Sequence, residues 1–119
     1  MARRSRRSRI ELKHRHVQDE THDQALVRRA RRFRRRGEHR QAMLSLREAC
    51  QTGGQCPRLW TLYAVACMRV RRLDDAKQAL RQALWLRQRA RDDRRVKVMQ
   101  RLIDQLDAQN SAQLPLRAA

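Results

Sequence analysis

Residues 26–86 read LVRRARRFRRRGEHRQAMLSLREACQTGGQCPRLWTLYAVACMRVRRLDDAKQALRQALWL, and one helical hairpin pattern is written there twice. Ala42 recurs as Ala76, Leu46 as Leu80 and Ala49 as Ala83, each pair 34 residues apart. The same offset carries Leu26 onto Trp60, Ala30 onto Ala64 and Phe33 onto Cys67. Nearly every slot keeps its size class, and the apolar residues return at the three- and four-residue steps of one helix face.

That period, with small residues at fixed slots, resembles the tetratricopeptide repeat, a helix-turn-helix unit whose small side chains let neighbouring helices approach closely. In the second copy Trp60, Tyr63, Ala64 and Cys67 stand in the first-helix slots, and Ala76, Leu80 and Ala83 in the second-helix slots. In the first copy the matching residues are Leu26, Arg29, Ala30 and Phe33, then Ala42, Leu46 and Ala49. Arg29 departs from the apolar pattern, and the motif's late proline is Gly54 in one copy and Gln88 in the other. Pro57 opens the second unit, where its fixed φ suits a first helical turn. The resemblance covers about half the chain. It implies an all-α fold of antiparallel helical hairpins, stacked as a short right-handed superhelical array. Periodicity alone also allows an ordinary helical bundle.

The 119 residues leave room for one domain with a terminal arm, since domains run to about 100–150 residues. Glycine (3), proline (2) and aromatics (3%) are scarce, which favours helices over a sheet sandwich and a thin core of Leu, Ala, Val and Met. The formal net charge is +18, from 30 basic and 12 acidic residues. Residues 1–36 hold 14 and 4 of these and the remainder 16 and 8, so both parts are basic and the first is denser. Such a field draws polyanions: nucleic acid, an anionic membrane surface or an acidic protein. Arginine outnumbers lysine 27 to 3, a ratio that arginine-rich codon usage yields without selection for binding.

Cys50, Cys56 and Cys67 form no Cys-x-x-Cys pair. Cys67 falls in a core slot, where a thiol packs as a small hydrophobe. Cys50 and Cys56 flank a Gly-Gly turn and are expected as reduced thiols in a cytosolic chain, a disulfide being the alternative. No apolar run reaches the ~18 residues of a membrane span, and the basic N-terminus lacks the apolar segment of a secretory signal. A cytoplasmic protein is expected, or a nuclear one in a eukaryote. His14, His16, His22 and His39 match no zinc spacing with the cysteines, and Arg15 opposes a cation between the first two. No metal and no cofactor is expected.

Residues 1–20 are expected to be a disordered basic arm. Arg3, Arg4, Arg6, Arg7 and Arg9 repel one another and resist packing, while their forked donors suit phosphate oxygens. A solvated tail is the alternative. The helical domain is expected over 21–109. Thr21 and Gln24 have the spacing of a capping box, so a helix starts near Asp23 and exits at Gly37, a residue suited to the left-handed turn. Arg28, Arg29, Arg31, Arg32, Arg34, Arg35 and Arg36 fill nearly all its outer face. Repulsion at three- and four-residue spacing costs about 0.2–0.5 kcal/mol per pair, so packing or a bound anion must hold this helix. Further helices are expected from Glu38 to Gln51, from Pro57 to Val70, and from an N-cap at Asp74 through Leu86. Beyond Arg91 the repeat lapses, because Arg94, Lys97 and Arg101 take apolar slots. Val96, Met99, Leu102, Ile103 and Leu106 form a shifted stripe that suits a terminal capping helix. Pro115 opposes further helix, so 110–119 is expected to be a flexible tail.

In tetratricopeptide arrays the first helix of each unit lines a concave groove. The resemblance therefore implies groove positions at Gln24, Val27, Arg31, Arg34 and Arg35, and again at Arg58, Thr61, Val65, Met68, Arg69 and Arg72. That surface would be apolar at its centre and basic at its rim, suited to an acidic, partly apolar peptide or helix. The family's carboxylate clamp needs Lys and Asn where Val27, Arg31 and Leu62 stand, so a C-terminal chaperone tail is not implied. Catalysis has no support: there is no Gly-rich phosphate loop, nucleophile elbow or Ser-His-Asp set. Asp74-Asp75 and Asp92-Asp93 read as carboxylates serving helix starts.

The expected function is a non-enzymatic adaptor that holds an acidic protein segment in its groove while the arm contacts an anionic surface. The runner-up is a sequence-non-specific nucleic-acid-binding accessory protein using the repeat as scaffold. Against the latter, the basic stretch offers no stacking aromatic except Phe33 and no usual DNA-reading motif. Two repeats with a cap are short for an architecture that usually needs ~3, so self-association or partner-dependent folding also enters.

Overall fold

In the computed structural model, which describes residues 21–118 and only the backbone beyond Asn110, Thr21 and Gln24 cap each other. The Thr21 hydroxyl accepts from the Gln24 N–H at 3.2 Å, and the Gln24 side chain accepts from the Thr21 N–H at 3.2 Å. This box satisfies N–H groups that a helix start leaves open and begins α1 (His22–Arg35). Then come α2 (His39–Thr52), α3 (Pro57–Arg69), α4 (Leu73–Arg89) and α5 (Asp93–Ala118). No strand occurs among the described residues. The fold is all-helical.

Each helix folds back on the one before it. His22, opening α1, meets Glu48 near the end of α2 at 3.5 Å, and Asp23 accepts from the Thr52 hydroxyl. Lys77, early in α4, pairs with Asp107, well along α5. Among the described residues, helix backbones pack closely only between sequence neighbours: α1 on α2, α2 on α3, α3 on α4 and α4 on α5. A closed bundle would bring α1 against α4. In an open stack each element instead takes its stability from the elements beside it.

Small residues sit where the backbones meet. Ala49, Ala64, Cys67, Ala76 and Ala83 are fully buried, and Ala30, Ala42, Ala66 and Ala79 nearly so. Met43, Leu46 and Leu80 fill the space between them, joined by Met99, Ile103 and Leu106 of α5. Leu26, Cys50 and Leu59 gather around Ala49 and so tie α1, α2 and α3 together. Trp60 packs edge-on to Tyr63 and donates its Nε1–H to the Gly54 carbonyl at 3.0 Å, fixing α3 against the turn before it.

The turns repeat as well. Gly37 (φ 77°), Arg71 (φ 64°) and Arg91 (φ 55°) each leave a helix in the left-handed conformation. Glu38 N–H bonds the Phe33 carbonyl at 2.9 Å, Arg72 N–H that of Cys67 at 2.9 Å, and Asp92 N–H that of Arg87 at 3.0 Å. Gly37, Arg71 and Arg91 add the inner bonds, to Arg34, Met68 and Gln88. This is the Schellman pairing. Gly37 and Arg71 are 34 residues apart, so the offset carried by side chains also appears in the backbone.

Two helix ends differ from expectation. α4 is preceded by Arg72, with Asp74 and Asp75 inside its first turn. The left-handed Arg71 redirects the chain into helix before an aspartate cap is reached, and the two carboxylates still favour the positive end of the helix. Asp92 does cap α5, accepting from the Arg95 N–H at 3.4 Å. α5 continues through Pro115 to Ala118; proline's φ is helical, and so near the end its missing N–H costs a single bond. The arm arginines Arg3, Arg4, Arg6, Arg7 and Arg9 lie outside the described residues.

Cys50, Cys56 and Cys67 are free thiols, and Cys56 alone is exposed. Burial pushes the Cys50 thiol up to about 12, with Cys56, Cys67 and Asp23 adding to the rise, and burial raises Cys67 too. Stability from the protonated Cys50 is thus complete below the ordinary value of 9.0 and is lost as pH climbs toward about 12. Thermal melts across this range are expected to show a falling Tm whose decline is smaller in Cys50→Ala. A left-handed L-residue costs about 1–2 kcal/mol, so Arg71→Gly and Arg91→Gly are each expected to stabilise the fold by about 0.5–1 kcal/mol in urea titrations. Gly37→Ala is expected to cost about 1 kcal/mol in the same assay.

Candidate functional site

Because each helix reverses on the last, the odd-numbered helices lie on one side of the stack. Val27 and Arg31 of α1 face Leu62 and Val65 of α3 across a cleft whose floor is Ala42 and Leu46 of α2. Arg34 and Arg69 stand among its lining residues, and the open cavity is about 110 Å³. Toward the starts of α1 and α3 the cleft widens into a cavity of about 480 Å³, still bordered by Val27, Arg31 and Leu62 and joined by Gln24, Arg58 and Leu59. Arg58 and Leu62 then carry the wall across α3 to a third cavity, of about 490 Å³, shared with α5. The three cavities share walls and form one surface over α1, α3 and α5.

Of the residues expected in a groove, Gln24, Val27, Arg31, Arg34, Arg58, Thr61, Val65 and Arg69 line these cavities. Arg35, Met68 and Arg72 line none of the three. Met68 is half-buried against the main core. Arg72 stands beyond the end of α3, held 3.0 Å from Asp75. Arg35 is exposed on the last turn of α1.

The groove positions implied by the resemblance leave out Leu62, named there only as a departure from the carboxylate clamp yet common to all three cavities, and the wall that α5 supplies. The signal for α5 was present in disguise. Arg94 and Arg101 look like lapses in an apolar pattern, but α5 turns Met99, Ile103 and Leu106 inward and sets Arg94, Arg95 and Val98 along the third cavity.

The surface is poor in compensating charge. The ion pairs His22–Glu48, Arg72–Asp75 and Lys77–Asp107 leave its arginines untouched. Among the described residues Arg31, Arg34, Arg58, Arg69 and Arg94 form no ion pair, and Asp92 alone reaches Arg87 and Arg95. Apolar side chains therefore lie among Arg31, Arg34, Arg58, Arg69 and Arg94, with Asp23 the one carboxylate lining the three cavities among the described residues, a field that attracts anions and opposes compactness. No group of three His, Cys, Asp or Glu among the described residues is placed to hold a metal ion. No described helix is long and apolar enough to cross a membrane.

The chain matches no protein-family model, no curated protein and no solved structure. Its function is read from the groove itself.

Self-repulsion here makes stability sensitive to anions. Sodium sulfate is expected to raise Tm more than sodium chloride at equal ionic strength, through binding at the arginines as well as exclusion from the protein surface. In Arg31→Gln/Arg34→Gln/Arg69→Gln the binding part disappears and the excess shrinks. An excess of unchanged size in that variant would mean that the groove arginines hold no anion.

Proposed function

We propose that this chain is a non-enzymatic, tetratricopeptide-like adaptor whose α1–α3–α5 surface holds an acidic, partly apolar segment of a protein partner. One observation carries the reading: Val27, Leu62 and Val65 form apolar walls between Arg31, Arg34 and Arg69, none of which has an ion-pair partner among the described residues. An apolar centre supplies affinity by burial, and a charged rim supplies steering and register. The 34-residue offset in side chains and turns, together with stacking between sequence neighbours, supports a short right-handed superhelical array. The Arg-rich arm is assigned to an anionic surface, and the protein to the cytoplasm or, in a eukaryote, the nucleus.

Nucleic acid would neutralise the same arginines, and the net charge of +18 favours it in general terms. A phosphate backbone gains little from Val27, Leu62 and Val65, whereas a helix with apolar anchors gains directly. The two readings separate in one fluorescence-anisotropy series, using an acidic amphipathic peptide, a scrambled peptide of equal charge and a DNA duplex. The amphipathic peptide is expected to bind about tenfold tighter than the scrambled one, with the neutral Val65→Ser variant costing about 1–2 kcal/mol of that binding. Equal binding of both peptides, unaffected by Val65→Ser and falling with salt in parallel with the duplex, would sink the adaptor reading in favour of the nucleic-acid accessory.

A further inference from the structure

The end of the groove where α3, α4 and α5 meet differs from the rest. Arg58, Arg87, Arg94 and Arg95 converge there from three helices on one cavity of about 490 Å³, over Leu62, Val98 and Met99. Asp92 is the one carboxylate paired with any of them among the described residues, 3.4 Å from Arg87 Nη1 and 3.7 Å from Arg95 Nε. Strong charge-assisted pairs are shorter, at about 2.7–2.9 Å, and a single negative charge is divided between two guanidiniums.

Arg87 is the unusual member. Its side chain is only 14% exposed, and its buried Nε–H has no hydrogen-bond partner among the described residues. A buried guanidinium with an unmatched donor is costly unless something accepts from it. Arg58 and Arg94 form no ion pair among the described residues, so four positive charges face one negative charge.

We infer that this cavity receives a phosphate monoester dianion, carried as a phosphoserine or phosphothreonine side chain on the acidic segment that the groove holds; the inference rests on the adaptor reading above. A carboxylate brings one charge and two oxygens to a surplus larger than that. A phosphate monoester brings about −1.5 to −2 charges and three strong acceptor oxygens. Guanidinium forks match those oxygens in pairs. A nucleic-acid diester carries one charge and arrives in a row of equal neighbours, yet beyond Leu62 the wall sets Val65 and Val27 among Arg31, Arg34 and Arg69, apolar surface that a phosphate row leaves unused. Val98, 47% exposed beside the arginines, offers an apolar contact to the residue that carries the ester.

The test titrates the full chain calorimetrically with three versions of one Glu-rich amphipathic peptide, bearing Ser, Glu or phosphoserine at a single position. The phosphoserine form is expected to bind about tenfold tighter than the Glu form, and Arg58→Ala/Arg94→Ala brings that ratio toward one. Val65→Ser weakens all three peptides and keeps the ratio. Equal affinity of the phosphoserine and Glu forms, or a preference that persists in Arg58→Ala/Arg94→Ala, overturns the phosphate site. If no peptide binds, the adaptor reading fails by itself, and inorganic phosphate at constant ionic strength decides the cavity. A saturable shift of the Thr61 and Val98 amide resonances, abolished by Arg58→Ala/Arg94→Ala, then assigns it to free phosphate monoesters. No saturable shift overturns it.

Discussion

Ala42, Ala49, Ala76 and Ala83 each present one methyl group to a neighbouring helix and are almost wholly buried. With nothing larger at these contacts, helix backbones approach closely enough for many weak dispersion contacts to add up. The arrangement leaves little room for large side chains, and among the described residues Met43, Leu80, Cys50 and Cys67 are the largest that solvent scarcely reaches. Stability is therefore spread over many small contacts between sequence neighbours. A bulky residue at any of these alanines would separate two helices and so disturb the side of the stack where α1, α3 and α5 form the groove.

Fold and field compete for the same few carboxylates. Asp23, Asp74, Asp75 and Asp93 stand in first helical turns, and Asp92 caps α5. There they favour free N–H groups and the positive helix end. Asp107 is taken by Lys77, and Glu48 by His22. Asp23 is the one carboxylate left among the groove-lining residues, and it accepts from Thr52. The same allocation that starts the helices thus leaves the groove basic, and its charge follows from how the chain folds as much as from how many arginines it holds.

α5 serves two purposes because its pattern is out of register with the repeat. Met99, Ile103 and Leu106 cover the exposed side of α4. Arg94, which breaks the apolar register, finishes the groove wall together with Val98. A third copy in strict register would have placed apolar residues where Arg94, Lys97 and Arg101 stand and left the end of the stack without a polar surface.

Much of this was legible in the sequence because helical periodicity and capping are local. Thr21 and Gln24 announced the start of α1, Gly37 its left-handed exit, and the alanines the inward faces of α2 and α4. The left-handed Arg71 had no such signal, since arginine is not a residue that favours this turn, and so the start of α4 was misplaced toward Asp74. The side chains that meet were decided by the tertiary structure alone. Leu62 belongs to all three cavities, and Arg87 of α4 looks like an ordinary surface arginine yet is largely buried and shares a cavity with Arg58 of α3 and Arg94 of α5. Periodicity reports which face of a helix turns inward about its own axis. The meeting of outward residues depends on the relative placement of helices far apart in the chain, which no single stretch of sequence encodes.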